Sequence, residues 1–184
     1  NWNVSKVEKM VETFRNADKF NAVLSNWDTS SAINMIGMFR LTDSFNNGKS
    51  SGASTTLNWD TSSVTVMKYM FSFAAAFNGN LSSWDTSIVN EMNFMFWNAP
   101  VFNNGATGAS TTTLNWNTSS VSNMESVFNR ALAFNGNLSN WNTSNVTRMD
   151  NMFDNNRVFN NGASSGGSPT LNWDTSKVTH FINM

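Results

Sequence analysis

The stretch Trp59–Asn78, WDTSSVTVMKYMFSFAAAFN, contains one copy of the repeat that decides the fold of this chain. Copies of its leading Trp recur along the 184-residue sequence at spacings that alternate between 25 and 32 residues. The repeat tryptophans are Trp2, Trp27, Trp59, Trp84, Trp116, Trp141 and Trp173, and only Trp97 is out of phase. Self-similarity at a fixed period indicates stacked structural units rather than a globule.

We treat residues 1–184 as a single array of seven coils, each beginning at a repeat Trp, and we expect this array to be part of a longer one. Coils 1 to 7 span residues 2–26, 27–58, 59–83, 84–115, 116–140, 141–172 and 173–184, the last being partial. The longer coils carry Gly/Ser/Thr insertions near residues 49–56, 106–113 and 163–170. These insertions predict protruding loops along one edge of the array.

Apolar side chains recur at fixed positions, counted in residues after the repeat Trp. Val occupies position 5 except in coil 2, which has Ala32 there. Met recurs at positions 8 and 11 and Phe at positions 12 and 18, and all 11 Met fall in the two Met columns. The spacing from Val to the first Phe is typical of one face of an α-helix, so we predict a short helix in each coil. The Ser two residues before Val is a candidate N-cap, and the Leu-Asn-Trp segment upstream predicts a short strand.

The repeat string, Trp-Asp-Thr-Ser-x-Val-x-x-Met-x-x-Met-Phe-x-x-Ala-x-x-Phe-Asn, resembles the 26-residue bacterial surface protein repeat, which is grouped with BspA-like leucine-rich-repeat surface proteins. The resemblance covers the whole chain. It implies a right-handed leucine-rich-repeat-like solenoid on a secreted or cell-anchored protein. Together with the periodicity, it predicts an α/β solenoid with one short parallel strand and one short helix in each of seven coils.

Composition argues against most chemistry. The chain has no Cys and a single His, His180, so thiolate metal sites and Cys nucleophiles are excluded and His-dependent catalysis is improbable. Its formal net charge of -1 lacks the basic character that nucleic-acid binding needs, and no apolar stretch is long enough to span a bilayer. We therefore predict no enzymatic activity, no catalytic residues, no cofactor and no metal ion.

Two sets of side chains are candidates for binding. An Asx row follows the repeat Trp in every coil and should be exposed: Asn3, Asp28, Asp60, Asp85, Asn117, Asn142 and Asp174. Such a row could hold Ca²⁺ or glycan hydroxyls, but turn and cap chemistry is the favoured interpretation.

The second set is aromatic. Tyr69, Phe73, Phe94 and Trp97 lie outside the core columns on the adjacent coils 3 and 4. On the predicted helix, position 10, which Tyr69 and Phe94 occupy, faces away from the buried side. The four rings predict either a surface for a partner or for lateral assembly, or a patch that a long loop covers.

An Asn follows the position-18 Phe in each complete coil, which predicts a buried amide ladder that satisfies loop backbone groups. The leading functional hypothesis is a non-enzymatic extracellular or cell-surface repeat scaffold for structure, adhesion or recognition of a protein or glycan partner. The alternative is a subunit or segment of an extracellular filament formed by end-to-end self-association.

Overall fold

The computed structural model describes residues 2–107, 112–164, 167 and 169–184. The predicted loops near 106–113 and 163–170 lie partly outside these residues. Within them, the only regular elements are two strands, β1 (Thr55–Thr56) and β2 (Gly79–Asn80). The strands pair in parallel, with Thr55 opposite Gly79 and Thr56 opposite Asn80, and the described residues contain no α-helix.

A continuous parallel ladder of single bridges joins all seven coils at position 7. The bridged residues run in chain order from coil 1 to coil 7: Lys9, Asn34, Val66, Glu91, Asn123, Arg148 and His180. Each coil therefore lies directly against the coil before it and the coil after it. Coils of 25 and 32 residues take part in the ladder in the same way.

The ladder is widened by alternate backbone amides that donate to the next coil. In coil 2, the amides of Met35, Gly37, Phe39 and Leu41, at positions 8, 10, 12 and 14, donate to carbonyls of coil 3 at 2.9–3.0 Å. Within a coil, tight turns satisfy other amides, as where Met70 donates to Met67 at 3.2 Å. Buried backbone is thus paired without a regular helix or a wide sheet.

The predicted α/β solenoid with a strand and a helix in every coil is wrong. Positions 10 and 14 hold a positive φ in every coil that has them, for example 59° at both Tyr69 and Phe73 in coil 3. A right-handed helix cannot pass through such residues. The segment is instead a series of turns, each closed by a bond from an amide to the carbonyl three residues before it, and alternate turns have a left-handed residue in the place that a type II turn requires.

The turns explain why the apolar columns mimicked a helix. Each turn is closed by a hydrogen bond between residues three apart. Successive turns therefore return side chains to the same side every three or four residues, as a helix does. The predicted strand was also misplaced, because the seven-coil ladder runs at position 7 and not through the Leu-Asn-Trp segment.

Aromatic rings stack in columns through the core. The Phe rings at positions 12 and 18 of one coil lie 4.0 Å apart between centroids at Phe71 and Phe77, and Phe71 lies 5.7 Å from Phe96 of the next coil. Trp59 and Trp84 stack at 6.1 Å, and the Trp84 Nε1 donates to the Leu57 carbonyl at 2.8 Å. Each ring thus packs against the neighbouring coils, and most are buried.

Buried polar side chains bind neighbouring coils together. The Thr61 hydroxyl donates to the Asp85 carbonyl of the next coil at 2.9 Å, and the same bond recurs down the Thr column. The Asn78 Oδ1 accepts from the amides of Asn103 and Gly105 at 2.8 and 3.0 Å. Its Nδ2 donates to the carbonyls of Gly52 and Ala106, both at 2.9 Å. The predicted amide ladder is confirmed.

We expect Asn78→Ala to lower the free energy of unfolding by about 3 to 5 kcal/mol, because it removes the acceptor of two backbone amides and the donor to two carbonyls in a largely buried ladder. Urea denaturation followed by Trp fluorescence measures the change. Asn90→Ala is the matched control, since Asn90 is exposed and should cost about 0.5 kcal/mol or less. Equal stabilities of the two variants would contradict a structural role for the amide ladder.

Candidate functional site

The Asx row is exposed along the whole stack, and its side chains form local turns. In each of the seven coils, the side-chain Oδ1 accepts the backbone amide of the Ser two residues later, at 2.9–3.1 Å. The Ser hydroxyl often donates to the same oxygen, as from Ser62 to Asp60 at 2.6 Å. The Ser therefore closes an Asx turn, and its predicted role as a helix N-cap is wrong because no helix follows.

These hydrogen bonds favour the ionised carboxylates. Bonds from the Ser30 hydroxyl and amide lower the pKa of Asp28 from its ordinary value of 3.8, and Ser62 acts in the same way on the pKa of Asp60. The pKa values of Asp85 and Asp174 are lowered first by the backbone amide and then by the hydroxyl of the following Ser. Repulsion from Asp60 opposes the shift at Asp28, since the two carboxylates lie on adjacent coils.

The geometry of the Asx row gives no support to the calcium alternative. One oxygen of each side chain is already engaged by its own turn. Among the residues that the structure describes, no three or more His, Asp or Glu side chains are grouped to hold a metal ion. The row is accounted for by turn formation, the interpretation that its residue types favoured.

Acid should destabilise the fold through this row. Because the folded pKa values lie below 3.8, the stability that the turns contribute is present above that pH and is lost as the pH falls through the folded values. Replacing Asp28, Asp60, Asp85 and Asp174 with Asn keeps the turn acceptor, as at Asn117, and removes the titration. We expect a smaller drop in melting temperature between pH 5 and about pH 2.5, measured by circular dichroism.

A control with the same change in charge separates this effect from net charge. The control alters four exposed carboxylates that form no ion pair within the described residues, through the substitutions Glu8→Gln, Asp18→Asn, Asp43→Asn and Glu91→Gln. The control should retain the acid sensitivity of the unmodified chain. If both variants resist acid equally, the turns are not its source.

The four aromatic side chains outside the core form one half-buried cluster, which we call the aromatic patch. Tyr69 stacks on Phe94 with centroids 4.8 Å apart, and Phe73 meets Trp97 edge to face at 4.7 Å. Phe94 and Trp97 lie 5.6 Å apart, so the two pairs are joined. The structure therefore brings together the residues that the sequence singled out, across coils 3 and 4.

Three of these rings stand on strained backbone. Tyr69, Phe73 and Phe94 have φ values of 59°, 59° and 62°, a region in which bulky residues are rare. Other coils place Gly37 or Asn151, which tolerate this conformation, at the same positions, but also Leu41, Ser126 and Arg130 with φ values of 59°, 55° and 56°. The left-handed backbone is therefore set by the turns of the repeat, whichever residue occupies positions 10 and 14.

Cations border the aromatic patch on its coil 2 and coil 3 side. The Arg40 guanidinium carbon lies 4.8 Å from the centre of the Tyr69 ring, and the Lys68 Nζ lies 5.4 Å from it. Both distances are within the range of cation–π attraction. The patch therefore combines partly exposed ring surface with positive charge.

An open groove that the sequence analysis missed lies next to the aromatic patch. It has a volume of about 540 Å³ and is lined by Asn98, Arg130, Leu132, Asn155, Arg157 and Val158. These residues come from coils 4, 5 and 6, so they are brought together only by stacking. One feature of the sequence could have indicated the groove: at position 14, Arg130 replaces the Asn found at Asn16, Asn98 and Asn155.

The stacked repeats define a tandem-repeat protein. The family model described as "Mycoplasma protein of unknown function, DUF285" matches residues 53–113 and 104–184, and the chain belongs to that family. The match supports a surface repeat family, and membership is compatible with a surface-exposed protein. No curated protein and no solved structure matches the chain. In the described part of the chain, no helix could span a membrane.

Proposed function

We propose that this chain is a non-enzymatic extracellular or cell-surface repeat scaffold that serves structure, adhesion or recognition of a partner, of the kind that carries the 26-residue bacterial surface repeat. The observation that carries the proposal is the aromatic patch, which joins four half-buried rings of two adjacent coils outside the columns that form the core. Scaffold function is also supported by the polar side chains of the repeat, such as Thr61 and Asn78, which bond neighbouring coils together.

The aromatic patch can be removed with residues that other coils already carry at the equivalent positions. Asn occurs in other coils at all three positions concerned, at Asn151 for position 10, Asn98 for position 14 and Asn129 for position 13. Replacing Tyr69, Phe73, Phe94 and Trp97 with Asn therefore borrows residues that the fold already accepts. The control, Ile33→Thr with Ile88→Ser, borrows Thr65 and Ser63 in the same way at apolar sites that are 42% and 45% exposed.

We expect the four-Asn variant to keep its fold while losing its partner. The lost ring contacts, about 0.5–1.5 kcal/mol for each pair, and the lost burial of the half-buried rings are partly offset by relief of left-handed backbone at Tyr69, Phe73 and Phe94, at about 1–2 kcal/mol for each residue. Thermal melts check the first expectation. Binding to printed polysaccharides and purified extracellular-matrix proteins checks the second: the unmodified chain and the Ile control should bind the same spots, and the Asn variant should not.

Three outcomes would count against this proposal. If the Asn variant unfolds, the rings belong to the core. If its binding pattern is unchanged, the aromatic patch does not take part in recognition. Long uniform fibres of the unmodified chain in electron micrographs would instead indicate the filament alternative.

A further inference from the structure

The groove beside the aromatic patch presents two guanidinium groups without counter-charges. Arg130 and Arg157 are exposed, and neither forms an ion pair within the described residues. Arg15 and Arg148, by contrast, are paired with carboxylates at 2.9–3.3 Å. A free guanidinium offers five N–H donors in a planar fork that fits a carboxylate. The groove can therefore receive an anion.

The remaining lining adds hydroxyl-binding and apolar surface. Asn98 and Asn155 supply carboxamides, each of which can donate and accept. Leu132 and Val158 supply aliphatic surface that is 49% and 48% exposed. Anionic, hydroxyl-bearing and apolar parts of one ligand thus all find partners in the groove.

The groove continues the aromatic patch along the stack. Asn98 directly follows Trp97, and Phe73, Asn98 and Arg130 occupy position 14 in three successive coils. The backbone links them, since the Phe73 amide donates to the Trp97 carbonyl at 2.7 Å and the Asn98 amide to the Asn129 carbonyl at 2.8 Å. Rings, carboxamides and guanidiniums therefore follow one another at one step per coil, about 4.8 Å at the backbone.

We propose that the groove and the aromatic patch together bind an extended polysaccharide that carries carboxylate groups, such as a uronic acid polymer. The inference rests on the proposed role in partner recognition and names the partner's chemistry. Sugar rings lie against aromatic faces, their hydroxyls bond to carboxamides, and their carboxylates pair with Arg130 and Arg157. The basic groove on a chain of net charge -1 is complementary to such a polymer. An acidic peptide would pair with the same arginines, and the comparison ligands below separate it from the polysaccharide.

The direct test measures binding of hyaluronan oligosaccharides, whose only charges are glucuronate carboxylates, by isothermal titration calorimetry. The variant Arg130→Asn with Arg157→Ala borrows the residues at the equivalent positions of other coils, Asn98 and Ala75. We expect it to weaken binding by about tenfold or more with an unchanged melting temperature. Lys6→Gln with Lys19→Gln removes the same charge from coil 1 and should bind like the unmodified chain.

Three comparison ligands make the outcome decisive. Neutral dextran should bind at least about tenfold more weakly than hyaluronan if the carboxylates are recognised. If polyglutamate binds as tightly as hyaluronan, the ligand of the groove is an acidic peptide and the polysaccharide inference is overturned. Heparin binding without hyaluronan binding would assign the groove to sulfate and overturn the carboxylate inference.

Failure of this inference can be told apart from failure of the proposed function. If hyaluronan does not bind, but the four-Asn variant still loses a partner on the printed arrays, the recognition role stands and the groove assignment falls. If hyaluronan binding is lost in the four-Asn variant but kept in the Arg variant, the ligand lies on the aromatic patch alone and the groove assignment falls.

Discussion

The backbone hydrogen bond between one coil and the next is the interaction on which the rest of the structure depends. Alternate amides from position 8 to position 14 donate outward to the following coil, while the intervening residues close turns within their own coil. This arrangement requires left-handed backbone at positions 10 and 14. It also turns the Met, Phe and Val columns inward, where they are buried between neighbouring coils. A coil without neighbours would lose both sets of contacts at once.

The sequence predicted the register of the repeats and the composition of the core, but it did not predict the backbone that joins them. Trp59, Met67 and Phe71 lie in the buried columns that their spacing indicated. That spacing was nevertheless ambiguous, because consecutive turns and a helix return side chains to one side at nearly the same period. Gly37 and Asn98 were signs of left-handed backbone, but they were obscured by Tyr69, Phe73 and Phe94 in the same columns.

The candidate binding surface was only half predictable for a related reason. The aromatic patch comes from two adjacent coils and stands out as a departure from the repeat. The groove needs three coils, and its Arg130 and Arg157 differ in position within their coils, so no column marks them as a pair. Both features lie outside the apolar columns that recur from coil to coil. Sequence variation is tolerated there, and specificity can arise without altering the stack.

Coils of 25 and 32 residues form the same hydrogen bonds with their neighbours, and this has a consequence for how the gene can change. Asn78 accepts the amide of Asn103 across 25 residues of sequence, and Asn46 accepts the amide of Asn78 across 32, with bonds of 2.8 and 2.9 Å. The hydrogen bonds between coils are therefore the same whether the intervening loop is short or long. Recombination between repeats in the gene could add or delete whole coils, or exchange a long coil for a short one, and still encode a chain that folds. The surface could diversify faster than the architecture beneath it.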